Sequence, residues 1–434
     1  MVNFISIQDA MKKGTGTVAV RGWIYRERGS NKMKFIVLRD STNIIQCVLE
    51  REKFEKQWNE IDKLLVESSV EITGEIKKDA RAPTGYEIQV SKINIIDRAE
   101  DFPINKDLNE ELLGDRRHLW LRSRKMTAIL KIRSTVLQAM REHWINNGFY
   151  EYHSPEIMSM QCEGGSTLFK VDYYGKPAYL SQTWQLHAEP AIFALEKIFT
   201  IQPAFRAEKS KTSRHLSELW MAEMEAAWWK FEELQKDAEE LIKHVIKKVL
   251  ENNTPELEIL ERDIKKLEPV LKKKFPRMTY TESLKLLKEK KKMNVEWGKD
   301  LRTIEEDKLS ELFDTPIIVT EYPKEIKAFY MKEPEEHPKQ GKVVLGFDMI
   351  APDGYGEIVG GSQREEDIEK IKENLKKQGE DCSKYDFYLD TRRYGSVPHG
   401  GYGMGVERVI SWICGLDTIK DAIAFPRTMT RLNP

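Results

Sequence analysis

The chain runs to 434 residues, long enough for two or three domains, and 40% of them are hydrophobic, with 10 Trp, 15 Tyr and 16 Phe to fill large cores. No apolar run is long enough to span a membrane, and Met1-Val2-Asn3-Phe4 lacks the basic and apolar regions of a signal peptide, so a cytoplasmic protein is expected. Four cysteines (Cys47, Cys162, Cys382 and Cys414) form no C-x-x-C pair, which argues against a zinc site or a disulfide framework. Lys+Arg total 70 and Asp+Glu 71, a net charge of −1, so any nucleic-acid partner needs a local basic surface.

Residues 1–100 read as β. Val18 to Tyr25 alternates like a strand, Lys34 to Asp40 follows the Gly29-Ser30-Asn31 turn, and Ile44 to Leu49 follows Ser41-Thr42-Asn43. Glu52 to Leu65 reads as a helix, and Ser69 to Ile76 and Tyr86 to Ile96 return to strands. Five strands with one helix after the third match a small OB-type barrel, a fold that binds single-stranded nucleic acid. Arg21, Arg26, Arg28, Lys32 and Lys34 are interleaved with Trp23, Tyr25 and Phe35.

Residues 101–116, with Pro103 and Asn105, read as a hinge before a larger domain at 117–434. Met126 to Asn147 carries apolar residues at helical spacing and ends at Gly148. Phe149 to Ile157 reads as a strand closing at a proline. Glu163-Gly164-Gly165-Ser166-Thr167 is a glycine loop. A helix is expected from Gln182 to Ala194, and strands over Lys197 to Glu208 and Glu218 to Trp228. The charged stretch of about 232–312 reads as a helical insertion. Pro316 to Val319, Ala328 to Met331, Val343 to Ile350 and Gly356 to Gly361 read as strands, and Glu365 to Gln378 as a helix. Antiparallel strands flanked by helices make the fold class α+β.

Two stretches carry the chemistry. In Gly400-Gly401-Tyr402-Gly403-Met404-Gly405-Val406-Glu407-Arg408, four glycines fall in six positions before an apolar helix. Glycines permit close backbone approach to a ligand, and an arginine in a helix's first turns, disfavoured by the dipole, is explained by a bound phosphate. In Phe205-Arg206-Ala207-Glu208, the arginine and glutamate share a face of a strand. A loop leads from there to Arg214-His215-Leu216-Ser217-Glu218.

Together these stretches resemble motifs 2 and 3 of the class II aminoacyl-tRNA synthetases, and the helix ending at Gly148 with the strand to Pro155 resembles motif 1. The barrel in front is similar to that of the aspartyl, asparaginyl and lysyl subclass. The resemblance implies that Arg206 holds the α-phosphate of ATP and Glu208 contacts ATP. It implies that Arg214 or His215 takes the outer phosphates and Arg408 the γ-phosphate. Asp348 and Glu357 match the acidic residues that hold Mg2+. Leu219 stands where many relatives stack a phenylalanine on adenine, and Gly360 where some aspartyl relatives carry a serine. Phe35 and Gln46 match the residues that stack on, and hydrogen-bond to, the central anticodon base. A homodimer paired through motif 1 is implied as well.

For the amino acid, Gln185-Leu186-His187-Ala188-Glu189 resembles the Q-L-H-x-E form of the asparaginyl enzymes. The aspartyl form places a lysine at the position of Ala188. On this resemblance Glu189 accepts from the substrate amide, Arg364 donates to its carbonyl, and Glu163, Thr183 and Gln185 hold the α-amino group beside His187. L-asparagine and tRNA(Asn) are the partners so implied. Aspartate activation, or ammonia-dependent amidation on the same catalytic fold, are the alternatives; the amidating relatives lack the barrel.

Overall fold

The computed structural model describes residues 2–104, 109–159, 168–209 and 214–434. The chain divides into two compact units, Met1–Arg116 and Arg117–Pro434.

The first unit is a closed barrel in the order Gly16–Gly29, Met33–Arg39, Ile44–Glu50, Tyr86–Asp97 and Ser69–Lys78. Neighbours are antiparallel except Ile44–Glu50 beside Tyr86–Asp97. Alternation explains the core: Ile36, Leu38, Ile45, Cys47 and Leu49 are inside, which leaves Phe35, Gln46 and Val48 on the other face. The helix expected over Glu52 to Leu65 is reduced to one 3-10 turn, Arg51–Lys53, and a short helix, Trp58–Asp62. The buried Lys34 ammonium takes the carbonyls of Asp62 at 2.6 Å and Leu64 at 3.0 Å. It satisfies the helix end in place of a further turn.

The second unit is built on an eight-stranded sheet. Its order is Arg277–Thr279, Ile317–Thr320, Gly346–Ala351, Gly356–Gln363, His399–Gly405, Glu218–Ala227, Lys197–Phe205 and Tyr150–Glu151. Only the two outermost pairs are parallel. The helices Arg124–Asn146, Phe231–Asn252 and Val406–Cys414 bury their apolar sides with one face of the sheet, where Ile132, Met140, Leu241, Met349, Met404 and Ile410 meet. Strand alternation turns Asp348, Glu223, Glu225 and Gly403 to the opposite face, where the cavity lies.

The stretch of about 232–312 carries helices as expected, and Leu234, Ala238, Leu241, Val245 and Val249 within it belong to the main core, while Arg277–Thr279 adds a strand of the sheet. Two local expectations are corrected. The run Phe149 to Ile157 is two strands in two sheets, Tyr150–Glu151 and Ile157–Met158, parted around Pro155, which lacks an N–H for a ladder. Ala328 to Met331 makes only an isolated bridge from Met331 to Arg364, because Phe329 is buried edge-on against Tyr385 and Tyr388 instead.

Candidate active site

A cavity of about 520 Å³ opens on the polar face of the sheet. At one end Arg364 grips Glu225, Nε to Oε1 at 2.9 Å and Nη2 to Oε2 at 2.7 Å, while Nη1 donates to Ser362 Oγ at 2.7 Å. Among the described residues, three of its five guanidinium N–H groups are so engaged. Glycine makes room for this pair. A Cβ on Gly401 would lie 2.2 Å from Glu225 Oε2, so only hydrogen fits there. Burial pushes the Glu225 carboxyl up, and Arg364 partly offsets it.

Thr183 and Gln185 stand on the cavity wall with Glu223. Thr183 Oγ1 donates to Glu223 Oε2 at 2.6 Å, and the Trp184 N–H to Oε1 at 3.2 Å. Burial and the Glu223 charge push the neighbouring Glu156 carboxyl up to about 7. Glu156 Oε1 accepts from Gln202 Nε2 at 3.0 Å. A carboxylate and a glutamine on one wall suit an ammonium group.

The other end is arginine-rich. Arg206, Arg214, His215, Leu219 and Arg408 line an adjoining cleft with Glu357. The Arg206 Nε is enclosed and has no hydrogen-bond partner among the described residues. A buried unsatisfied guanidinium donor is costly unless an anion takes it, as a phosphate would. Arg408 follows the Gly405 cap of Val406–Cys414, and its Nη1 donates to the Glu357 carbonyl at 2.7 Å. Arg214 Nη2 donates to Asp307 Oδ1 at 2.9 Å and to the Gly354 carbonyl. His215 Nε2 lies 3.8 Å from Glu208 Oε2, and burial and then Arg408 push its pKa down.

Asp348 and Glu357 converge over Gly360. A Cβ there would lie 3.0 Å from Glu357 Oε1 and 3.4 Å from Asp348 Oδ1. Burial, then the Asp348 charge, raise the Glu357 carboxyl, and Glu306 beside it is pushed up to about 7 by burial and Glu357. Lys327 Nζ meets Asp348 Oδ2 at 2.9 Å. Crowded carboxylate oxygens of this kind fit a hard divalent cation. By contrast, Glu189, Glu225 and His399 bring ligand-type atoms within 4.8 Å of one another, but the Arg364 and Arg392 guanidinia already supply the positive charge there.

Two expectations about amino-acid contacts are corrected. Glu189 is not on the cavity wall. It has no exposed surface, and its oxygens are taken by Gln185, Tyr388, Arg392 and His399. Burial pushes its carboxyl up, but Arg392, His399 and Arg364 outweigh that and hold it well below the usual range. The carboxylate that faces the cavity beside Arg364 is Glu225. The spacing Glu223-x-Glu225 on one strand face was the available signal. His187 does not line the cavity either: its ring stacks on Phe387 at 5.4 Å, an apolar contact that suits an imidazole whose pKa burial lowers. Glu163 lies outside the described residues.

On the barrel, Phe35 is half-buried under the Arg28 guanidinium, 5.0 Å from the ring centroid. Gln46 is more enclosed, and its Nε2 donates to Glu87 Oε2 at 2.9 Å. Trp23 is 45% exposed beneath Arg39, so aromatic and basic groups do share this surface.

Residues 109–429 match the family of class II tRNA synthetases (D, K and N), and 18–96 match the OB-fold nucleic acid binding domain. The asparagine–tRNA ligase of Thermococcus gammatolerans is 47% identical over 417 residues, 96% of each chain. The chain belongs to the asparagine–tRNA ligase family of class II tRNA synthetases. The asparaginyl-tRNA synthetase of Pyrococcus horikoshii complexed with asparaginyl-adenylate matches with a TM-score of 0.94 at 43% identity, covering all of both chains. That of Entamoeba histolytica matches at a TM-score of 0.88 and 32% identity, over 99% of this chain and all of the other. Family members use ATP, which agrees with an arginine-rich cleft adjoining the cavity. No helix among the described residues is long and apolar enough to cross a membrane.

Proposed function

We propose that this chain activates L-asparagine with ATP to asparaginyl-adenylate and transfers the asparaginyl group to the 3′-terminal adenosine of tRNA(Asn). The observation that carries the choice of amino acid is the Arg364–Glu225 pair on the cavity wall. A carboxamide needs one donor for its oxygen and one acceptor for its N–H2, and this pair offers both side by side. Aspartate would set its carboxylate against Glu225, with one guanidinium between two anions.

In the first step the asparagine carboxylate attacks the α-phosphorus and pyrophosphate leaves. Arg206 takes the developing charge, with its free Nε donor already in place, and Arg408, Arg214 and His215 hold the outer phosphates. Glu208 and Leu219 contact the nucleotide, the leucine by apolar contact without a ring to stack. In the second step the tRNA 3′-hydroxyl attacks the adenylate carbonyl. No protein nucleophile is needed, and positioning carries the rate. Asp348 and Glu357 would hold Mg2+, which when bound neutralises phosphate charge. Thr183, Gln185 and Glu223 receive the α-ammonium. Phe35 stacks on the central anticodon base and Gln46 reads its edge.

The active form is a homodimer in the cytoplasm. Tyr150, on the Tyr150–Glu151 sheet edge, is 60% exposed, and Ile145, Ile157, Phe193, Leu195 and Trp228 are further exposed apolar side chains. Large exposed apolar side chains are expected at a surface that a partner covers. Light scattering at micromolar concentration tests this, and a monomer there is the opposing result. The activity itself is tested by ATP–pyrophosphate exchange with each of the twenty amino acids. Asparagine is expected to support exchange, with aspartate poorer by about a hundredfold or more; equal use of aspartate overturns the assignment.

A further inference from the structure

Glu189 lies wholly behind the cavity wall, yet it touches residues that form that wall. Its Oε1 accepts from Gln185 Nε2 at 2.8 Å and from the Tyr388 hydroxyl at 2.9 Å. Its Oε2 meets Arg392 Nη1 at 2.6 Å and His399 Nε2 at 3.0 Å. Arg364 Nε stands 3.8 Å from Oε1.

An ionised carboxylate accepts hydrogen bonds and donates none. Whatever faces it must present a proton. For Gln185 this decides which way round the amide lies. The N–H2 end is turned to Glu189, and the carbonyl oxygen is left for the cavity. Without that partner the two ends of a glutamine amide are nearly equivalent in shape, and either could face the ligand. Glu189 also stands as a second anion beside Arg364, after Glu225 at 2.7 Å. A guanidinium flanked by two carboxylates has less attraction to spare for a third.

We propose that Glu189 is a positioning residue for substrate selection: it holds the Gln185 amide so that an oxygen meets the substrate α-ammonium, and it damps the pull of Arg364 on an acidic side chain. This rests on reading the cavity as the asparagine site. The positions of Arg392 and His399 then acquire a purpose, since they keep a carboxylate ionised where burial alone would protonate it.

Pyrophosphate exchange with asparagine and with aspartate tests the proposal in four variants beside the unmodified protein. In Glu189→Gln the new amide can donate or accept, so Gln185 loses its fixed orientation. The KM for asparagine is expected to rise about tenfold or more with kcat changed less, and the preference for asparagine over aspartate to fall. The exchange variant Glu189→Gln/Gln185→Glu restores an acceptor toward the cavity whichever oxygen faces it, so the asparagine KM is expected to return toward the unmodified value. Tyr388→Phe removes a donor to Glu189 without touching Gln185, and its asparagine KM should stay within about twofold. Glu189→Asp keeps the charge and withdraws it from Gln185; it should raise KM while preserving the amino-acid preference, and it carries the test if Glu189→Gln does not fold. An unchanged asparagine KM in a folded Glu189 variant, or an equal rise in Tyr388→Phe, overturns the proposal. Absence of asparagine-dependent exchange in the unmodified protein is a different failure, and it removes the reading of the cavity together with this one.

Discussion

Arg364 and Glu225 are joined by two parallel hydrogen bonds, at 2.9 and 2.7 Å, across neighbouring parts of the sheet. The strand Glu218–Ala227 brings the acid, and Arg364 directly follows the strand Gly356–Gln363. The pairing fixes both groups before any ligand arrives, so recognition costs little side-chain ordering.

Glu225→Gln should therefore damage asparagine use more than it damages the fold. A glutamine amide can replace one of the two acceptor contacts to Arg364 but not both. Exchange with asparagine is expected to fall in kcat/KM by about a hundredfold, while exchange with aspartate falls less. A ratio of the two activities equal to that of the unmodified protein would show that Glu225 does not read the side chain.

Arg206→Ala should act on the rate of adenylate formation. Its enclosed Nε has no hydrogen-bond partner among the described residues, and on the proposed role at the α-phosphate a loss of about 10²–10³ in kcat is expected, with a smaller change in ATP affinity. Arg206→Lys should rescue poorly, because an ammonium cannot reproduce a planar fork of donors. Single-turnover exchange kinetics separate the two effects.

Glu156→Gln gives a pH-dependent signature. The folded carboxyl is raised from 4.5 to about 7, so it stabilises the fold fully only below the ordinary value. That contribution is lost as pH rises from about 4.5 to about 7, where the unfolded chain has already released the proton. Glutamine keeps the carbonyl that accepts from Gln202 and does not ionise. The Tm of the variant should match that of the unmodified protein near pH 4.5 and exceed it above pH 7. A difference in Tm that stays flat across this window contradicts the assignment.

Phe35→Ala tests the barrel alone. Loss of one stacked base should weaken tRNA binding by about 1–3 kcal/mol, read as Kd in a filter or fluorescence titration. Exchange in the absence of tRNA should not move. A parallel drop in exchange would mean that Phe35 serves the fold rather than the anticodon.

The barrel was legible because its strands alternate cleanly, so that Ile36 and Leu38 announce the inside and Phe35 the outside. The arginine-rich cleft was legible because Arg206 and Arg408, which line it together, both sit in recognisable motifs. The amino-acid end was not. Glu189 and Glu225 are both glutamates within reach of Arg364, and their roles part only through burial by partners from far along the chain, such as His399, 210 residues after Glu189. Lys34 likewise ends a helix that periodicity alone would have continued.

Glu87 faces Gln46 in the barrel much as Glu189 faces Gln185 in the larger unit. In both places an acidic side chain claims the amide nitrogen and leaves an oxygen outward. At the ring nitrogen of a base edge, an amide oxygen bonds where that nitrogen carries a proton, as in uracil or guanine. It is repelled by the bare ring nitrogen that adenine or cytosine offers in the same place. On the proposed anticodon reading, Glu87 orients the amide that meets the base without touching the base itself.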